Sequence, residues 1–138
     1  MNFPLVILSP DKEIFKGEAK KVTAYSYDGE ITILARHMPF VAPLITGGIT
    51  VKTDKEELSF SIGRGFVATD GKSVTLLIED VSASDEISEE DALQAKKKAE
   101  ELIAKGLVGE EKQKAIYALR KSLVDLKIAR KRKKVIIT

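Results

Sequence analysis

Ile49-Thr50-Val51-Lys52-Thr53-Asp54-Lys55-Glu56-Glu57-Leu58-Ser59-Phe60-Ser61-Ile62 decides the fold. Ile49 and Val51 alternate with Thr50 and Lys52, and Leu58, Phe60 and Ile62 alternate with Ser59 and Ser61. Side chains on a strand point to opposite faces in turn, so each run has one apolar face to bury and one polar face to leave in water. Asp54-Lys55 between them is a turn, which makes the pair a hairpin. Similar alternation continues up to about residue 81, broken by turn signals at Ser9-Pro10-Asp11, Asp28-Gly29, Gly47-Gly48 and Asp70-Gly71. The Asp-Gly pairs favour tight hairpins because glycine accepts positive φ. The pattern predicts an antiparallel sandwich or barrel over residues 1–84, with Val74, Leu76 and Ile78 as its last inward face. Glu79-Asp80-Val81-Ser82-Ala83-Ser84 reads as the exit into a linker.

From Ile87 the period changes. Ser88 stands as an N-cap three residues before Asp91, and Glu89 and Glu90 fill a first turn that favours negative charge. Ala92, Ala95, Ala99 and Leu102 line one face of the resulting helix, and Gly106 stops it. A second helix is expected from about Glu110 into the 120s or beyond. It carries Ala115, Ala118 and Ser122 on one stripe and Ile116, Leu119, Leu123 and Leu126 on another. The larger stripe needs a cover, either the sandwich or another chain. The fold class is therefore a mainly β N-terminal sandwich or barrel (1–84) followed by an α-helical hairpin with a basic tail (85–138).

Composition removes several function classes. The chain of 138 residues has no cysteine and one histidine, His37. This excludes thiolate chemistry, disulfides and multi-histidine metal sites, and leaves one candidate for histidine-assisted catalysis with no acid or nucleophile beside it. No cofactor or metal is expected. No run of about 18 apolar residues is present to span a membrane, and no basic start followed by an apolar stretch marks a secretory signal. Net charge is +2, unevenly divided: residues 1–84 hold 9 Lys/Arg against 11 Asp/Glu, and residues 85–138 hold 14 against 10. Gly63-Arg64-Gly65 lacks the Gly-Lys-Ser/Thr that completes a phosphate loop, so close packing or a bulge explains it better.

Local sequences add a resemblance that covers nearly the whole chain. Asp28-Gly29-Glu30-Ile31-Thr32-Ile33-Leu34, followed by Arg36-His37-Met38-Pro39-Phe40-Val41-Ala42-Pro43-Leu44, resembles the acidic-Gly-Glu hairpin and His-x-Pro loop of the epsilon subunits of bacterial F-type ATP synthases. Ile7-Leu8-Ser9-Pro10-Asp11 is similar to that family's opening strand and turn. Gly63-Arg64-Gly65-Phe66-Val67 is similar to its Gly-Gly-Phe strand, with Arg64 where glycine is commoner, and Ala95-Lys96-Lys97-Lys98-Ala99-Glu100-Glu101 to its first C-terminal helix. The resemblance implies a non-catalytic subunit of the central stalk, peripheral at the cytoplasmic face of the bacterial membrane, that links the gamma subunit to the c-ring during proton-driven ATP synthesis. It implies that Glu30, at the hairpin tip, meets the c-ring and that His37, Met38, Pro39 and Phe40 meet gamma. It further implies that the C-terminal helices reach the alpha and beta subunits and restrain ATP hydrolysis, through Arg120, Lys121, Lys127, Arg130, Lys131 and Arg132.

One feature departs from the family. Some members bind ATP through Ile or Leu, Asp, two variable residues, Arg and Ala; the matching stretch here is Ile87-Ser88-Glu89-Glu90-Asp91-Ala92, with Ser88 for the aspartate and Asp91 for the arginine. Three carboxylates there repel a triphosphate, so weak or absent ATP binding is expected. The alternative from another class is a nucleic-acid-binding module using the basic helix, set against a net acidic sandwich.

Overall fold

A computed structural model describes the backbone of residues 1–137 and the side chains of residues 1–132. Lys133, Lys134 and the Val135-Ile136-Ile137 ending therefore fall outside the described side chains. The chain divides into two compact units, Met1–Val81 and the remainder from Ser82.

The first unit holds β1 (Phe3–Leu8), β2 (Glu13–Ala19), β3 (Lys21–Ser26), β4 (Gly29–Leu34), β5 (Phe40–Leu44), β6 (Gly47–Lys52), β7 (Glu57–Ile62), β8 (Arg64–Thr69) and β9 (Val74–Glu79). One sheet has the order β2-β1-β9-β8-β5, and the other lines up β7-β6-β3-β4. The deciding stretch forms the expected hairpin, with Val51 opposite Leu58 and Ile49 opposite Phe60. Its inward set meets that of the other strands in a core where Leu5, Ile7, Val22, Ile33, Ile49, Val51, Ile62, Val67, Leu76 and Ile78 are essentially inaccessible. Burying each such side chain contributes about 1.5–3 kcal/mol.

Three expectations change. The sandwich is antiparallel except where β1 runs parallel to β9, Leu5 opposite Val74 through Leu8 opposite Leu77. No hairpin joins those two strands, so the turn chemistry that dictates antiparallel pairing elsewhere does not act on them. Gly47-Gly48 is not a turn but the start of β6, paired with Ile62 and Ser61. A Cβ on Gly47 would stand 3.2 Å from the Tyr25 ring, so at Gly47 close packing, not a reversal, accounts for the glycine. The segment read as a linker is ordered into β10 (Ser82–Ala83) and a 3-10 turn, Ser84–Glu86.

The second unit is a helical hairpin of α1 (Glu89–Ala104) and α2 (Gly109–Ile137). Ser88 caps α1 as the sequence predicts, its hydroxyl accepting from the Asp91 N–H at 3.2 Å. Gly106 at φ 80° and Gly109 at φ 66° shape the connection, conformations that a side chain disfavours. The buried positions are Ala92 and Ala99 on α1, and Ala115, Ser122, Leu126 and Ala129 on α2. Ala95 and Ala118, expected on the packed stripes, are exposed instead. Ala115, Ser122, Leu126 and Ala129 share one face, and Ala118, three residues after Ala115 and four before Ser122, lies on the flank of that face and is left in water. The larger stripe also divides: Leu126 is buried and Leu123 is 46% exposed.

Candidate functional site

Two of the predicted surfaces are built on β4, one at each end. At its start the β3–β4 hairpin turns through Tyr27 and Asp28, with Ser26 opposite Gly29 and Tyr25 opposite Glu30. The Ser26 hydroxyl donates to the Gly29 carbonyl and accepts from the Asp28 N–H, both at 3.2 Å. Gly29 follows at φ 117°, the positive value anticipated from the Asp-Gly pair. Glu30 is thus one residue inside the strand, and the tip itself is Tyr27, 80% exposed, with Asp28. The Tyr25 hydroxyl donates to Glu30 Oε2 at 3.2 Å. That bond to a carboxylate, with partial burial, raises the Tyr25 phenol above its ordinary pKa.

Beyond the other end of β4, Arg36 takes a left-handed conformation at φ 65°, which an arginine adopts at a cost. The His37 N–H bonds back to the Leu34 carbonyl at 3.2 Å. His37 Nδ1 lies 3.0 Å from the Met38 carbonyl, which can only accept, so Nδ1 is the donor of this bond. The imidazole tilts against the Phe40 ring at 4.8 Å between centroids. Met38 and Pro39 are exposed, His37 and Phe40 half-buried. Gly71 of the β8–β9 loop sits under this loop, where an added Cβ would come within 3.6 Å of the Pro39 ring. That loop is held by Asp70, whose Oδ1 accepts from the N–H groups of Lys72 and Ser73 at 2.8 Å each. These bonds hold the Asp70 carboxyl below the usual aspartate range. Glu30 and His37 are therefore not one site. A strand rises about 3.3 Å per residue, so the four rises from Glu30 to Leu34, against which His37 turns, hold them on the order of 13 Å apart.

A third surface was not read from the sequence. Leu8, Leu77, Phe66 and Pro43 are register partners in succession across β1, β9, β8 and β5. Phe66 is 55% and Leu77 52% exposed. With Tyr27 and Pro10 they line a cleft of about 360 Å³, rimmed by Arg64 and Glu79 paired at 2.8 Å. The signal was present: Val67 is buried, so alternation alone sends its neighbour Phe66 outward.

In the second unit the basic residues separate by helix rotation. Arg120, Lys127 and Lys131 are exposed and, at seven- and four-residue intervals, share one stripe. Lys121 bonds to Asp125 Oδ1 at 3.0 Å, Arg130 to Glu89 Oε1 at 3.2 Å, and Arg132 to the Ser84 and Ile87 carbonyls. In the degenerate nucleotide motif Ile87 and Ala92 are each 6% exposed, Ser88 is occupied as the cap, and Asp91 supplies the capped N–H. Among the described residues no group of three or more His, Cys, Asp or Glu is placed to hold a metal, and no helix is long and apolar enough to cross a membrane.

The described residues thus form a two-sheet sandwich carrying separate surfaces, followed by a helical hairpin. Residues 2–84 match the family model described as ATP synthase, Delta/Epsilon chain, beta-sandwich domain, and the chain belongs to that family. It is similar along nearly its whole length to the ATP synthase epsilon chain of Caldicellulosiruptor bescii, 31% identical over 135 residues that cover 98% of both chains. It is also similar to ATP synthase epsilon chain 1 of Methylococcus capsulatus, 39% identical over 105 residues, 75% of each. The fold matches a chain in the cryo-EM structure of the Euglena gracilis mitochondrial ATP synthase (OSCP, F1 and c-ring) at a TM-score of 0.78, with 20% identity, covering 88% of this chain and 77% of that one. A chain of the Tetrahymena thermophila central stalk and c-ring gives a TM-score of 0.68 at 13% identity, covering 94% and 97%. The protein is accordingly an epsilon-type, non-catalytic subunit of ATP synthase.

Proposed function

We propose that the sandwich joins the gamma subunit to the c-ring in the central stalk, and that the helical hairpin restrains ATP hydrolysis by reaching the alpha and beta subunits. The observation that carries the first half is that Glu30 and the His37 loop lie at opposite ends of β4. A connector between two partners needs two surfaces held apart by a stiff element, and a paired strand in a sheet supplies that. At the His37 end the exposed Met38 and Pro39 offer apolar contact for gamma, on a backbone already fixed by the Leu34 and Phe40 contacts. At the Glu30 end a carboxylate held by Tyr25 faces the polar loops of the ring. The chain would then be peripheral, at the cytoplasmic face of the bacterial membrane, and attached to it through the complex alone.

Gel filtration with the cognate gamma subunit tests the first half. Co-elution that is lost in the His37→Glu, Met38→Asp double variant is expected; no complex with a well-folded gamma overturns it. For the hairpin, hydrolysis by the reconstituted complex should rise when residues 120–138 are removed, and equal rates at low salt would end the restraining reading. ATP should bind weakly or not at all, because the anion would meet Glu89, Glu90 and Asp91 at the start of α1. Micromolar affinity by calorimetry would contradict this.

A further inference from the structure

The far end of α2 is tied to the segment that precedes α1. Arg132 Nη1 donates to the Ser84 carbonyl, and Nη2 donates to the Ile87 carbonyl at 2.9 Å. Nearby, Arg130 Nε reaches Glu89 Oε1 at 3.2 Å, and Lys121 Nζ approaches the Ser82 hydroxyl at 3.4 Å. The acceptors of Arg132 lie 48 and 45 residues back along the chain, at the end of the hairpin remote from the Gly106 and Gly109 connection. Between these two ends the fully buried positions among the described residues are mainly small, Ala92 and Ala99 on α1 and Ala115, Ser122 and Ala129 on α2, with Leu126 the large one, while Ile116, Leu119 and Ile128 are half-buried. Small side chains let the backbones approach but interlock little, so polar contacts at the free ends add to what holds them together.

We propose that Arg132 is the latch of the hairpin: its two-carbonyl clasp closes the free ends of α1 and α2 and sets how readily they separate. The planar guanidinium presents its donors as a fork that spans two acceptors, which a lysine ammonium cannot reproduce. Carbonyls carry no net charge, so the clasp depends on geometry more than on ionic strength, unlike the exposed Arg130–Glu89 pair. A partner carboxylate that takes the Nη1–Nη2 edge of the guanidinium competes with the clasp for the same donors. Engagement of that edge by a partner therefore opposes closure of the hairpin, a consequence that rests on the restraining role proposed above, whereas the latch itself does not.

Hydrogen exchange on the isolated full-length chain, with no partner present, tests the latch independently of that role. Arg132→Gln should speed exchange of the amides within residues 89–104 and 109–132 by about tenfold, the effect of losing one charge-assisted hydrogen-bonding group, and leave strand amides in residues 3–79 unchanged. Arg132→Lys should exchange as fast as Arg132→Gln, and Arg120→Gln as slowly as the parent. Complete loss of helix protection in Arg132→Gln with the strands intact would support a stronger latch of the same kind. Parent-like exchange in Arg132→Gln overturns the proposal. Parent-like exchange in Arg132→Lys alone would replace the clasp with a general effect of charge, and also overturns it.

Discussion

Replacing Gly65 by alanine should destabilise the sandwich more than any other single methyl group added to it. Gly65 lies on β8 between β5 and β9, opposite Leu44 on one side and Ile78 on the other. A Cβ built there stands 2.3 Å from the Leu77 carbonyl oxygen, 2.8 Å from Ile78 Cγ2 and 3.0 Å from Ile78 Cα. Two of these three atoms are backbone in a paired central strand, and the third belongs to a side chain that is 2% exposed. None can retreat without separating β8 from β9. Overpacking of a rigid core costs about 1–3 kcal/mol, and backbone obstruction places this case at about 3 kcal/mol or above. For a chain of this size that corresponds to a fall in Tm of roughly 10 °C. Thermal and urea unfolding followed by circular dichroism measure it, with Gly47→Ala as the comparison. There the nearest atom is Tyr25 Cδ2 at 3.2 Å, on a ring that can shift, and the loss should stay within about 1 kcal/mol. A Gly65→Ala variant within 0.5 kcal/mol of the parent would refute the reasoning.

Other outcomes follow from the caps and the titrating groups. Ser88→Ala should cost about 1 kcal/mol by freeing the Asp91 N–H, seen as faster exchange in the first turn of α1; unchanged exchange would deny the cap any role. The Tyr25 phenol should titrate above its ordinary value, and Glu30→Gln should bring it back down, read at 295 nm in a background lacking Tyr27 and Tyr117. A raised folded value means that the contribution of this pair is present below the unfolded pKa of about 10 and lost as pH rises through the folded one. Asp70 has the opposite sign: its folded value is lowered, so its contribution is present above the unfolded value and lost as pH falls through the folded one. Asp70→Ala should therefore flatten the decline in Tm on acidification below about pH 4, and an undiminished decline would contradict the assignment.

Much of this architecture was legible because a strand in a half-buried sheet has only two faces. Ile49, Val51, Phe60 and Ile62 declare the inward face directly, and all four are buried. Legibility failed where one residue type serves two purposes. Glycine marks turns, yet Gly47 opens a strand because a ring lies against it. Alanine marks helix packing, and Ala92, Ala99, Ala115 and Ser122 are buried on the expected stripes, yet Ala95 and Ala118 on the same stripes are exposed, because small apolar residues are cheap to leave in water. The surfaces at the two ends of β4 were named from sequence, but their separation was not, since it depends on which end of a strand each loop joins. The exposed Phe66 and Leu77 row escaped for a different reason: four residues from four strands become neighbours only through register.

The basic tail shows the same ambiguity most sharply, and resolving it changes how the hairpin should be dissected. In sequence the cations from Arg120 onward form one cluster. On a helix turning 100° per residue they separate, with Arg120, Lys127 and Lys131 on an outward stripe and Lys121, Arg130 and Arg132 tied to their own unit. Removing residues 120–138 deletes both sets, so a change in hydrolysis cannot say which one acted. Neutralising Arg120, Lys127 and Lys131 to glutamine should weaken attraction to an acidic surface and its salt dependence while the hairpin stays closed, since none of the three is bonded within the described residues. Neutralising Arg132 should do the reverse, opening the hairpin with the outward stripe intact. If hydrolysis rises in the first variant and falls in the second, attraction and closure are separate controls. If both variants raise hydrolysis equally, the latch is itself part of the restraining contact, and the division into two sets has no functional meaning.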